Sequence, residues 1–453
     1  MTDNISLHKG LNIPIAGKAR NVTKEVKLPD IFAVKPTDFK GVIPKLLVKE
    51  GDSIKAGTPL FCDKYRPMIY FTSPISGSVK EIVRGEKRKL LEIRLTPESD
   101  MEYIKFEIPK IETLDRDTVL KILLESGLWP SFIQRPYGIV ADPKDTPRDI
   151  FISGFKTAPL AADLDYTLAA DIEYIQLAID VIGKLTTGGV NVSLDAATRY
   201  SSALSKLKNV RLHSFKGAHP AGNVGVQIAN IAPINKGEII WTIDPHLLVV
   251  IGKLFKNGIV DYTKTVAITG PRVKDPLYVR CIGGSHIGII SEYVDTTGEL
   301  PVRYISGDVL TGENIGKDGY IGFYDDQISL ISEGNYYELL GWVNPLRTKK
   351  FSTSRSYFSW LMPKKRYNMD TNLNGGERAF VLNGIYEKVL PMDVYIVYLI
   401  KAIMAEDIDK MEQLGIYEVI EEDIALCEYI CPSKIEFQAI LRKGIDLMIK
   451  EMA

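Results

Sequence analysis

Between Gly41 and Leu90 the chain reads GVIPKLLVKEGDSIKAGTPLF, then Cys62-Asp63-Lys64, and from Phe71 FTSPISGSVKEIVRGEKRKL. Few folds accept so many turn signals so close together. Gly51-Asp52, Ala56-Gly57 and Ser76-Gly77 after Pro74 are spaced to close tight turns, because glycine reaches torsions barred to other residues and proline presets one. Between them Ile43, Leu46 and Val48, then Ile69 and Phe71, alternate as short strands with one buried face do.

The run V-K-E-G-D-x-I-x-x-G-x-P-L followed by S-P-x-x-G-x-V resembles the folded-over half-barrels of lipoyl and biotinyl domains, which predicts a barrel-sandwich module over residues 34–105. In those carriers a lysine at an exposed hairpin takes the cofactor, and Asp63-Lys64 falls near that hairpin. Yet the strand before it is short, Met-Lys-Met is absent, and Tyr65-Arg66-Pro67 follows. A solvated hairpin lysine on a structural module is therefore the favoured reading.

At 453 residues the chain exceeds one core, and a prior of about 150 residues per domain suggests roughly three units. A net charge of −1 leaves no nucleic-acid footprint, and five histidines argue against a His-rich metal site. The start MTDNISLHKGLN has no apolar core for export and no run is long enough to span a bilayer, so the cytosol is expected. Val394–Met404, with Lys401 inside it, suits a buried or interfacial helix. Cys62, Cys281, Cys427 and Cys431 are too few and scattered for a disulfide framework, and the first two are expected as buried thiols.

Residues 1–33 read as an extended N-terminal arm. From Asp149 to about Gly258 strands and helices alternate: strand Ile150 to Phe155, a helix carrying Ile172, Ile175, Ile179, Ile182 and Leu185, strand Val190 to Leu194, a helix near Tyr200 to Leu207, strand Val210 to Phe215, and helices at Val224 to Ile231 and Leu247 to Phe255. That alternation predicts a Rossmann-like parallel α/β domain over 106–260. Glycine-rich short strands predict a β-grasp-like unit over 261–335. Residues 336–380 form an irregular linker in which Arg347, Lys349, Lys350, Arg355, Lys364, Lys365 and Arg366 interleave with Phe351, Tyr357, Phe358 and Trp360, a stretch suited to a protein surface or lipid headgroups. A helical C-terminal domain is expected over 381–453, with a stop at Gly415 and helices near 422–430 and 434–450. The expected fold class is thus multidomain α/β.

Gly217-Ala218-His219-Pro220-Ala221-Gly222-Asn223-Val224-Gly225 follows a strand and opens a helix, where free N–H groups could meet a phosphate. Gly217, His219, Gly222 and Gly225 are candidate nucleotide-loop residues, but the spacing is not G-x-G-x-x-G and Pro220 removes a donor. A turn needing small residues is the favoured reading of the run. Cys427-x3-Cys431-Pro432 is similar to the tail of a ferredoxin cluster run, though four thiolates hold such a cluster and i, i+4 spacing also suits two core cysteines. No Ser-His-Asp order and no H-E-x-x-H occurs, and Asp244 and His246 carry no assignment.

The segments KGLNIPIAG, GVIPKLLVKEGD, SPISGSV, LLESGLWPSFIQRPYG, DTPRDIFISGF, GAHPAGNVG, ITGPRVKDP, YISGDVLTG, GERAFVLNGIYEKVLPMD and EEDIALCEYICPSKIEF together resemble the A subunits of bacterial Na+-translocating NADH:quinone oxidoreductases over nearly the full length. The resemblance implies a peripheral subunit on the cytoplasmic face of the bacterial inner membrane, in contact with five other subunits and reaching the membrane through them. The complex oxidises NADH, reduces quinone and moves Na+ outward, with flavins and iron–sulfur centres on the partner subunits and no fixed cofactor on this one. It also implies kinship with flavin-binding NADH subunits of complex I, in which the Gly217–Gly225 loop would be the flavin loop and Cys427 and Cys431 a remnant of the cluster end. By the same family match, Gln134, Arg135 and Tyr137 are a candidate edge for quinone, with a structural loop as the other reading. Residues 283–294, GGSHIGIISEYV, are less acidic than the family pattern. Two further functions stay open at this point: an electron-input subunit binding flavin and NADH itself, and a lipoyl or biotinyl carrier at Lys64.

Overall fold

The computed structural model describes residues 4–338, 341, 347–354 and 358–452. The turn-rich N-terminal stretch forms two small antiparallel sheets. One joins Phe32–Val34, Leu90–Pro97, Gly77–Arg84 and Ser53–Ile54; the other joins Pro44–Leu46, Pro59–Asp63 and Tyr70–Thr72. Gly51 and Gly57 turn with φ of 89° and 96°, as their spacing predicts. Ser76-Gly77 does not sit in a free turn: Gly77 opens a strand, pressed so close to the Thr96 carbonyl that a β-carbon would overlap it. Phe61 and Phe71, paired across neighbouring strands of the second sheet, stack at 4.4 Å.

A seven-stranded sheet follows, in the order Asn4–Ser6, Arg211–Lys216, Val190–Asp195, Ile150–Ser153, Ile240–Thr242, Ile133–Arg135, Ile139–Val140. The first five strands run parallel, Ile133–Arg135 runs opposite to them, and Ile139–Val140 pairs antiparallel with Ile133–Arg135. Their near-continuous apolar burial, VNVSLD being buried up to its last residue, is what a sheet covered on both faces requires. Helix Ile172–Ile182 packs on helix Pro245–Asn257 so closely that a β-carbon on Gly252 would overlap the Tyr174 carbonyl. The second helix has strong local signals: Asp244 caps its start, Pro245 fills the first position, and Gly258 closes it in the left-handed conformation.

The predicted helix near Tyr200 to Leu207 is only a 3-10 turn, Ala203–Lys206. The hydroxyls of Ser201, Ser202 and Ser205 bond to neighbouring backbone there, which offers the chain an alternative to helix.

A six-stranded mixed sheet orders Glu313–Asn314, Val302–Ser306, Gln327–Ser332, Thr263–Thr269, Leu277–Ile282 and Thr23–Glu25. The N-terminal arm thus lends an edge strand to each large sheet, parallel to Arg211–Lys216 in one and to Leu277–Ile282 in the other. Helices Ile396–Met404, Ile408–Gln413, Glu421–Ile430 and Phe437–Met452 enclose a separate apolar core. Contrary to the sequence pattern, residues 381–395 carry only a 3-10 turn at Tyr386–Lys388, since Asn383-Gly384 and Pro391 break the helix.

Of the basic and aromatic stretch, Arg355 and Tyr357 lie outside the described residues. Tyr367 is buried and its N–H bonds to the Pro14 carbonyl, tying this stretch to the arm, while Phe358 and Trp360 are exposed. No helix among the described residues is long and apolar enough to cross a membrane.

Candidate functional site

Strand Ile150–Ser153 is followed in sequence by strands placed on one side of it, and later by Ile240–Thr242 on the other. The carboxyl ends of two parallel strands on either side of such a switch point leave a crevice, the usual ligand position in an open α/β sheet. Here that crevice is a cavity of about 350 Å³, lined from the sheet by Ser153, Thr242 and Asp244, from the six-stranded unit by Asp308, Asp325 and Asp326, and from the C-terminal unit by Ile420 and Glu422.

Lys156 dominates its floor. The ammonium lies 3.0 Å from Asp244 and 2.8 Å from Asp326, and His246 Nδ1 stands 2.7 Å from Asp244. Burial pulls the Lys156 pKa down, but the two carboxylates outweigh it and hold it above its ordinary value. Burial likewise pushes Asp244 up, yet Lys156 and His246 hold it well below the carboxylate range. Asp244, His246 and Asp326 are the one trio among the described residues close enough to share a metal ion, and Lys156 supplies a cation to two of them.

The glycine loop borders this crevice, with its glycines turned against the chain's own atoms. A β-carbon on Gly217 would come within 3.0 Å of Leu7 Cβ, one on Gly222 would overlap Thr157, and one on Gly225 would overlap both carboxylate oxygens of Asp423. His219 is buried, its N–H bonds to Asn12 Oδ1, its carbonyl accepts from Leu11, and Nδ1 is 3.2 Å from Thr157 Oγ1. Burial drives its pKa down to about 4 against the pull of Asp308, so the ring is neutral at neutral pH.

Gln134 and Arg135 are buried on the antiparallel edge of the sheet. Gln134 Oε1 accepts from the Asp142 N–H, and Arg135 donates to Asp423 at 2.8 Å and Glu422 at 2.6 Å. Tyr137, with φ of 86°, sets its ring against Tyr417. Structurally the segment joins the sheet to the C-terminal helices, and of the three only Arg135 borders the crevice.

Lys64 is exposed, but its hairpin is anchored: Arg66 bonds to Asp63 at 2.8 Å and to the carbonyls of Val140 and Gly41. Cys62 and Cys281 are buried thiols, as expected. Cys427 and Cys431 lie in the helical core, where burial pushes the Cys427 thiol well up and Cys431 Sγ is 3.1 Å from the Tyr386 hydroxyl.

A second, small cavity of about 40 Å³ lies where the barrel module, the α/β sheet and the six-stranded sheet meet. Phe39, Phe71, Leu247, Val250, Tyr262 and Phe323 line it, with His246 and Lys264 as polar neighbours. His246 Nε2 is buried without a hydrogen-bond partner among the described residues. The Lys264 ammonium is spent on three carbonyls, those of Gly322, Phe323 and Asp325. Sequence reading missed Lys156, Asp326 and Asp423, which carry no spacing signal because their partners are remote in the chain.

Three family descriptions match: an NqrA N-terminal barrel-sandwich hybrid domain over residues 5–98, an NqrA second alpha/beta domain over 114–260, and an NQRA C-terminal domain over 265–317. The A subunit of the Na(+)-translocating NADH-quinone reductase of Haemophilus influenzae (strain 86-028NP) is 36% identical over 451 residues, covering 99% of this chain and 100% of that one. Its counterpart from Vibrio parahaemolyticus serotype O3:K6 is 35% identical over 450 residues, with the same coverage. Among solved structures, an air-oxidized NAD+-reducing [NiFe]-hydrogenase aligns with a TM-score of 0.39 at 12% identity, over 76% of this chain and 62% of that one.

Proposed function

The chain belongs to the family of Na+-translocating NADH-quinone reductase A subunits, and from that premise we propose that it is a peripheral subunit holding no redox cofactor of its own, with a structural or quinone-associated role. In this reading it sits on the cytoplasmic face of the bacterial inner membrane with five partner subunits, which carry the flavins and iron–sulfur centres, receive electrons from NADH and move Na+. The seven-stranded unit is read as Rossmann-like and the six-stranded unit as β-grasp-like.

One observation carries the cofactor-free part. The glycines of the Gly217–Gly225 loop stand against Leu7, Thr157 and Asp423, so the close approach that glycine permits is taken up by the chain's own atoms rather than left for a nucleotide phosphate. The Cys427 and Cys431 pair supports it, since two thiols in an apolar core are half a cluster's ligand set and burial keeps Cys427 protonated. Both count against the alternative, an electron-input subunit binding flavin and NADH. For the quinone-associated part, the small aromatic cavity is the better-suited place: a quinone head needs apolar walls and a polar group beside its oxygens, and His246, whose Nδ1–H is given to the Asp244 carboxylate, presents an unpaired Nε2 that can accept from a quinol hydroxyl. At about 40 Å³ it would have to open to admit a ring. The Gln134, Arg135 and Tyr137 edge is less suited, since it meets the crevice only through Arg135, whose two terminal nitrogens are already paired with Asp423 and Glu422.

The test is to tag the chain in its native cells, solubilise the membranes gently, and assay the purified material for NADH:quinone reduction with and without sodium. Co-purifying flavin-bearing membrane subunits with sodium-stimulated activity is the expected result. A lone protein with its own flavin spectrum, or with a lipoyl mass at Lys64, overturns the reading.

A further inference from the structure

We propose that the contact between helix Val224–Ile231 and helix Glu421–Ile430 is an oxyanion site which the chain fills with its own Asp423 carboxylate, and which takes a phosphate-class anion once that carboxylate is removed. The inference deepens the cofactor-free reading of the glycine loop and rests on it.

The two helices meet start to start. The first, eight residues long, has no side-chain cap: Asn223 spends its amide on the Glu422 carbonyl, 2.9 Å away. Its leading N–H groups and positive dipole end therefore await an anion, and the start of the second helix adds a dipole end of the same sign. Asp423 meets this field, against Gly225 and only 1% exposed. Arg135, 2% exposed, completes it with one nitrogen on Asp423 and another on Glu422.

The fit of the carboxylate is incomplete. Asp423 Oδ2 is well used, accepting from Arg135 and from the Ile420 N–H at 3.0 Å, but Oδ1 is buried with no hydrogen-bond partner among the described residues. Arg135 Nε is buried and equally without one. A planar carboxylate tethered to its own helix leaves both atoms over. A tetrahedral oxyanion, with three or four acceptor oxygens around one centre, can receive the spare guanidinium N–H and the helix N–H groups together. Gly225 then has a stated purpose: it lets an anion, now Asp423, lie directly on the helix start.

The experiment compares full-length wild type with Asp423→Ala and Asp423→Asn, in inorganic phosphate and in chloride at matched ionic strength. Phosphate should raise the thermal midpoint of Asp423→Ala saturably, by ~5 °C or more, and leave the wild type unmoved. Equilibrium dialysis should show phosphate binding to Asp423→Ala at least roughly tenfold tighter than to wild type. Recovery of folded Asp423→Ala in phosphate but not in chloride also supports the site. Equal responses of wild type and both variants to the two salts overturn it, and so does phosphate binding by wild type with the same affinity as the variants. A flavin retained by purified wild type would instead defeat the cofactor-free reading beneath it.

Discussion

Lys156 is the side chain on which the crevice depends, because its one ammonium pairs with two carboxylates, Asp244 and Asp326. Lys156→Met should destabilise the protein by an amount near the low end of about 3–5 kcal/mol, since part of the freed charge can hydrate through the open crevice. Urea unfolding with an unchanged m-value checks it, and a loss under about 1 kcal/mol would mean the pair is hydrated in the native state. His219 gives a pH signature. Its folded pKa of about 4 lies below the unfolded value near 6.5, so the unfolded chain binds the extra proton between them. Stability from this residue is full above pH 6.5 and falls as the pH drops toward 4, by up to about 3 kcal/mol. His219→Gln should flatten that limb of the stability profile measured by urea melts at successive pH values. A slope identical to wild type would show that other groups set the acid limb. In sequence, His219 and Gly225 were visible as members of a loop, but their use was not. Whether a glycine admits a phosphate or another part of the chain depends on what is folded against it, and Asp423 lies some two hundred residues away.

Elements whose signals are local were legible: the apolar run Leu247 to Phe255 marked one helix, which the structure shows framed by Asp244, Pro245 and Gly258, and the apolar runs of the parallel strands need no partner to be read. Elements decided by competition were not. The serines at 201–205 turned a predicted helix into a 3-10 turn, and the apolar spacing after Val381 hid breakers that delay the helix to Ile396. Gly252 shows how a single interior glycine, unfavourable for a helix by itself, serves packing instead. Its α-carbon faces the Tyr174 carbonyl on the neighbouring helix, so Gly252→Val must push the two helices apart. The expected cost is about 1–3 kcal/mol from overpacking, read as a lower denaturation midpoint, with faster amide exchange along Ile172–Ile182. If exchange there stays at the wild-type rate, the contact is not holding the helix pair.

At the scale of the whole molecule the arm matters more than its composition suggests. Short and poor in periodicity, it offered no strand signal, because Asn4–Ser6 and Thr23–Glu25 are strands only by virtue of the edges they cover. Between them the Leu7 N–H bonds to the Lys216 carbonyl at the strand's end and the Leu11 N–H to the His219 carbonyl of the glycine loop, and Pro14 and Ile15 meet Tyr367 of the basic stretch. The arm is therefore a strap across both large sheets, and edge strands left without such cover expose rows of unpaired N–H and C=O groups. Removing residues 1–25 should free two edges at once, those of Arg211–Lys216 and Leu277–Ile282. The expected outcome is concentration-dependent association in sedimentation, with amide protection lost first in those two strands and in the Gly217–Gly225 loop. The loop is the decisive place. If it keeps wild-type protection without the arm, then Thr157 and Asp423 alone close it, and the arm guards only the sheet edges. If protection falls there together with the strands, the strap also seals the position where a nucleotide would enter, and the loop's closure is a property of the assembled chain.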